Sequence, residues 1–221
     1  MPNDNLNLPG HTPDVQDEPA METRERILTT AISEFAANGF SGARIDAIAR
    51  GSKSNIRMIY HYFGSKEGLY IHVLEHALGK LREDELSLDI SNIGPVDGIL
   101  SIFDFIDDHF SANPETLSLL SSENLNRARY LKRSARIPEM SSPVIRLVSE
   151  LLERGVQTGE IRADIEPLHL YVCMVSLAYF HKSNAYTLTY IFQHDLLDPE
   201  WRERHREQSH RMLVSFLIPL A

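Results

Sequence analysis

Cysteine is nearly absent from this chain: Cys173 is the only one in 221 residues. That excludes a disulfide framework and any zinc site built from thiolates. Long apolar runs are missing too, since no stretch approaches the ~18 residues of a membrane-spanning helix. The N-terminus, MPNDNLNLPGHTPDVQDEPA, is acidic and rich in Pro and Asn, with no apolar segment for export. A cytoplasmic protein with no membrane partner is expected, with residues 1–20 as a disordered arm. Positive charge is in deficit, because 22 Lys and Arg face 31 Asp and Glu for a net charge of -9. Such a balance ordinarily argues against a nucleic-acid partner, whose phosphates are bound by Lys and Arg. Strand signals are scarce as well, while 43% hydrophobic content supplies a real core.

The charge is unevenly divided. Residues 21–82 carry nine basic residues (Arg24, Arg26, Arg44, Arg50, Lys53, Arg57, Lys66, Lys80 and Arg82) against six acids, a balance of +3 that leaves -12 for the rest. A mildly basic first unit followed by an acidic body predicts two jobs in one chain.

The apolar spacing is helical throughout. Ile27, Ala31 and Phe35 recur every four residues, and Asn38-Gly39 supplies a stop, predicting a helix over 22–38. A short helix is expected over 45–51, and a third from Asn55, a good N-cap, ending at Gly64. Ser65 caps a fourth over 66–82, with Leu69, Val73, Leu74 and Leu78 on one side and Glu67 in its first turn, where the dipole favours an acid. Two short helices joined by a turn and flanked by longer ones have the layout of a helix-turn-helix unit. Beyond a linker at 87–94, helices are expected to open at Pro95, Pro114, Pro143, Pro167 and Pro199, because proline at the first helical position gives up no needed donor. The fold class is all-α.

The stretch GFSGARIDAIARGSKSNIRMIYHYFGSKEGLYIHVL resembles the DNA-binding domain of TetR-family transcriptional regulators, above all in Tyr60-His61-Tyr62-Phe63-Gly64-Ser65-Lys66-Glu67. The resemblance covers residues 21–75. It implies a helix-turn-helix domain over 21–70 and a helical effector-binding and dimerisation domain over 71–221. It also implies a homodimer that binds a double-stranded DNA operator and releases it on binding a small-molecule effector; no cofactor or metal is implied. The recognition helix is expected over 55–61, with Arg57 and Asn55 reading guanine and adenine edges and Ile56 beside them. Tyr60, His61 and Lys66 are expected at the phosphates, Tyr62 and Phe63 in the core, and Arg44 at the DNA face. The chain departs from the family in the turn: where the family has Ala-Gly-Val-Ser, it has Ser52-Lys53-Ser54-Asn55. A left-handed Lys53 costs about 1 kcal/mol relative to glycine.

Two other readings compete. His72, Glu75 and His76 match the His-x-x-Glu-His pattern of zinc peptidases, which would make the chain a zinc-dependent hydrolase. Alternatively, the altered turn has abolished DNA binding and left a helical interaction protein. For the body, Phe103, Phe105, Tyr130, Tyr171, Met174 and Tyr179 are expected to line an effector pocket. Leu170, Val175, Leu177, Leu213, Phe216 and Leu217, on segments 167–182 and 199–217, are expected to pair two copies through a four-helix interface.

Overall fold

A computed structural model describes residues 17–219, in which ten α-helices and a short 3-10 turn alternate with brief loops and no strand occurs. The first unit contains α1 (Asp17–Gly42), α2 (Ile45–Gly51), α3 (Ile56–Phe63) and the first half of α4 (Lys66–Leu86). The body follows with α5 (Pro95–Ala112), α6 (Pro114–Leu125), the 3-10 turn Leu131–Arg133 and α7 (Arg136–Thr158), then α8 (Pro167–Ser183), α9 (Ala185–Phe192) and α10 (Pro199–Leu217).

Local chemistry sets most boundaries. Asn55 caps α3 by accepting from Met58 N at 2.9 Å, and Ser65 caps α4 by accepting from Gly68 N at 3.0 Å. Gly39, at φ 63°, breaks α1 where a stop is expected, although one more turn carries the helix label on to Gly42. At its other end α1 begins at Asp17, inside the span expected to be an arm; residues 1–16 lie outside the described residues. Proline opens α5, α6, α8 and α10 as expected, but Pro143 lies inside α7. The earlier start comes from buried Ser134, whose Oγ accepts from Arg136 N at 3.2 Å and Ile137 N at 3.3 Å and so caps the helix upstream of the proline. Helix α9 carries no proline and no side-chain cap, and sequence punctuation did not announce it.

Two cores form. The first joins Ile27, Phe35, Ile48, Ile59 and Leu69 with Leu119 of α6 and Tyr130; the second joins Ile99, Phe103, Ile106, Val148, Leu151 and Met174. Helix α4 belongs to both, giving Leu69, Tyr70, Val73 and Leu74 to the first and Leu81 to the second. The division expected at residue 70 therefore falls within one continuous helix.

Candidate nucleic-acid interface

Helices α2 and α3 form the paired unit. Ile48 and Ala49 of α2, and Ile59 and Phe63 of α3, point into the first core at helical spacing. The turn between them is rebuilt around two serines. Ser52 is buried, and its hydroxyl bonds Ile48 O at 2.7 Å and Ser54 Oγ at 2.8 Å. Arg26 of α1 donates to Ser52 O at 3.4 Å, a clamp that no sequence motif marks. Lys53 does take the left-handed conformation, at φ 52°, and is exposed. With its polar groups paired, the turn delivers α3 to the core despite lacking the family's glycine and valine.

Inward use of Ile59 and Phe63 leaves Ile56, Arg57, Tyr60 and His61 exposed on the other side of α3, Tyr60 at 44%. Ile56 and Arg57 border a shallow apolar groove shared with Asp46 and Arg50 of α2. Arg50 is neutralised by Asp46 at 2.7 Å, a bond that also holds the Asp46 carboxyl below its ordinary range. Arg44 and Arg57 form no ion pair with the described residues and are free to meet an anion. Arg44 stands at the start of α2, where its backbone N–H is held by Glu34 Oε1 at 2.9 Å.

Two expected contacts have prior engagements. Asn55 uses its carboxamide oxygen for the α3 cap, so it cannot offer the oxygen and amide pair that reads adenine while the cap is closed. Lys66, half-buried, donates to Ala43 O at 2.6 Å and lies 5.0 Å from the centre of the Phe40 ring, tying α4 to the end of α1. Its ammonium retains other donors, but its first role is structural.

Comparison with known proteins agrees with this geometry. The model for bacterial regulatory proteins of the tetR family matches residues 27–73, and the tetracyclin repressor-like C-terminal domain matches 95–213. The chain belongs to the TetR family of transcriptional regulators. It is 36% identical over 186 residues to the HTH-type transcriptional repressor NicS of Pseudomonas putida, spanning 84% of this chain and 88% of that one. It is also 36% identical over 157 residues to the HTH-type transcriptional repressor SCO4008 of Streptomyces coelicolor, spanning 71% and 78%. A TetR transcriptional regulator of Chloroflexus aurantiacus shares the fold, with a TM-score of 0.64 at 20% identity over 90% of this chain and 95% of the other.

Within this TetR-family frame His72 and Glu75 of the His-x-x-Glu-His pattern have structural partners. His72 Nδ1 bonds Gly68 O at 2.9 Å, and Glu75 accepts from Ser134 Oγ at 2.6 Å with Arg136 at 3.6 Å, which fastens α4 to the start of α7. No group of three or more His, Cys, Asp or Glu converges among the described residues, and the hydrolase reading is not favoured.

The six expected effector residues do not share one cavity. Phe103 and Met174 are fully buried in the second core, with Phe105 packed against it. Tyr130 belongs to the first core, 4.3 Å from Phe40 and 5.1 Å from Tyr70 between ring centres, because the loop at 126–130 folds back onto α1 and α4. Buried Tyr171 is bonded by Arg82 of α4, and burial pushes its hydroxyl up to about 12. Tyr179 pairs with Ser121 Oγ at 2.8 Å.

The expected dimer residues need a similar correction. Leu170, Leu213 and Leu217 are buried inside the protomer, and Val175 and Leu177 pack against its core; of the six only Phe216 is exposed. Helix α8 is apolar on both sides. Leu170, Met174 and Ala178 face inward at four-residue spacing, and Leu168, Val172 and Phe180 face outward on a line that Ser176 interrupts. On α10, Ser209, Leu213 and Leu217 face inward while Met212 and Phe216 remain outside.

Proposed function

We propose that the chain is a homodimeric repressor that holds a pseudo-palindromic operator through α3 of each copy and lets go when a small molecule enters its body. The observation that carries the reading is the outward face of α3, where Ile56, Arg57, Tyr60 and His61 are exposed beside free Arg44 while the opposite face is locked into the core. Arg57 suits a guanine edge and Ile56 a thymine methyl, with Tyr60, His61 and Arg44 at flanking phosphates. The relatives NicS and SCO4008, both HTH-type transcriptional repressors, support that direction of control. The outward apolar side chains of α8 and α10 support dimerisation, since a second copy is the commonest cover for several large apolar side chains left exposed on neighbouring helices.

Selection of bound fragments from genomic DNA tests the reading. An operator with two related half-sites should emerge, and Arg57→Ala should cost roughly 1–3 kcal/mol on it while relaxing preference at one position per half-site. Lys66→Ala should weaken operator and scrambled duplex alike and, because its bond to Ala43 is lost, also lower the melting temperature. Enrichment no greater than that of an Arg57→Glu control would refute DNA recognition by this face.

A further inference from the structure

A cluster of cations and carboxylates gathers in the body around buried Asp107. Asp107 accepts from Lys182 and, at 2.7 Å, from Arg206, which also reaches Asp108. Lys182 is saturated: besides Asp107, its ammonium meets Ala178 O at 3.1 Å and His181 Nε2 at 3.2 Å. Arg202, one turn before Arg206, makes no side-chain hydrogen bond or ion pair with the described residues, and its Nε is fully buried without a partner. Three cations thus face two carboxylates, and the excess positive charge is that of Arg202. Burial first, and then the nearby Arg202 and Arg206, hold Lys182 below its ordinary value despite Asp107. A guanidinium does not lose its proton, so its charge and its buried, unmet Nε–H call for an anionic acceptor from outside.

Arg202 lines a cavity of about 520 Å³ among α5, α6, α8 and α9, a size that suits a small molecule. Its wall has two characters. Ser111, Ser118, Ser121 and Ser183 bring hydroxyls, and Phe110, Pro114, Leu117 and Leu197 bring apolar surface. We propose that this cavity binds a small organic acid, whose carboxylate pairs with the Arg202 guanidinium while its apolar body rests on Phe110, Leu117 and Leu197. The inference rests on the reading of the chain as a ligand-responsive regulator and names the chemical class of its effector.

Helix α6 gives the cavity a path to the DNA-binding unit. Leu117, Ser118 and Ser121 face the ligand space, whereas Leu119 of the same helix is buried in the first core. Glu123, fully buried, accepts from Tyr130 N and Leu131 N at 3.1 Å, and the backbone of Gly39 in α1 stands close to Ser122. A ligand that displaces α6 therefore displaces α1 and the helices seated on it.

The chain carries its own reporter, because its one tryptophan, Trp201, precedes Arg202 and stacks on His205 at 5.0 Å. Trp201 fluorescence of the full chain, without DNA, is titrated with benzoate and hexanoate, with benzamide and hexanamide as neutral isosteres, and with inorganic phosphate. At least one acid should saturate the signal, with its amide and the Arg202→Gln variant each weaker by roughly 10- to 100-fold, the range of a charge-assisted hydrogen bond. Arg202→Lys, which keeps the charge but not the fork, should fall between. Circular dichroism melts check that both variants are folded. The proposal is overturned if neither acid binds, if an acid binds no better than its amide, if Arg202→Gln binds as well as the parent, or if phosphate matches the acids. Adding the selected operator separates the two readings. An acid that binds through Arg202 but leaves operator affinity unchanged removes its role as effector and keeps the site. Failure to select any operator removes the regulator reading and leaves the cavity result untouched.

Discussion

His181 shows how a single side chain in the body is fixed by its surroundings. It is buried, its Nδ1 bonds Leu177 O at 3.0 Å, and its Nε2 accepts from Lys182 at 3.2 Å, so the neutral ring is the form the fold requires. Burial, joined by the Lys182 and His205 charges, pushes its pKa from 6.5 down to about 4. The folded state thus binds fewer protons than the unfolded chain between those values. Stability from this group is complete above pH 6.5 and is lost as pH falls toward 4, by up to about 3 kcal/mol. His181→Gln should flatten the parent's loss of melting temperature between pH 7 and 4.5; an unchanged slope would assign that loss to other groups. Asn55 and Lys66 carry a related lesson, since a residue type suited to DNA can already be engaged by a helix end or a carbonyl.

At the scale of elements, the turn between α2 and α3 holds a left-handed lysine where the family places glycine. The buried hydroxyl of Ser52 and the bond from Arg26 offset that strain, and α3 keeps Ile59 and Phe63 in the core. Lys53→Gly should therefore raise stability by about 0.5–1 kcal/mol, read as a higher urea midpoint at constant m-value. A fall in midpoint would mean that the Lys53 side chain makes a stabilising contact worth more than the strain. The ends of α3 and α4 were legible in advance because an Asn or Ser cap and a glycine act within four residues. The start of α7 was not, because Ser134 overrides Pro143 only once the loop before it is folded against Glu75.

For the whole molecule, the unanswered surface is the outer side of α8 and α10, where Val172 is 53% exposed and Met212 51%. Val172→Glu with Met212→Glu should give folded monomers by light scattering, because two charges per copy would be desolvated in the pair. Leu213→Glu should instead unfold the protomer, since Leu213 is only 3% exposed and belongs to the second core. A dimer that survives the double change would place the interface elsewhere, with exposed Tyr190, Ile191 and Phe192 of α9 the next surface to alter.

The sequence by itself determined the all-helical class, the helix-turn-helix stretch and most helix ends, because caps, glycine stops and four-residue apolar spacing act over one or two turns. Arg57 was expected to face outward from its place near the start of the recognition helix, and it is exposed there. What only the tertiary structure decided was which apolar face of α8 turns inward, where Tyr130 lands and which cation of the body is left over. Each depends on what stands opposite: α8 is apolar on both sides, Tyr130 reaches the first core through a folded loop, and Lys182 and Arg206 share Asp107 while Arg202 has no side-chain partner among the described residues. Partners 75 and 99 residues apart in the chain leave no local trace in it.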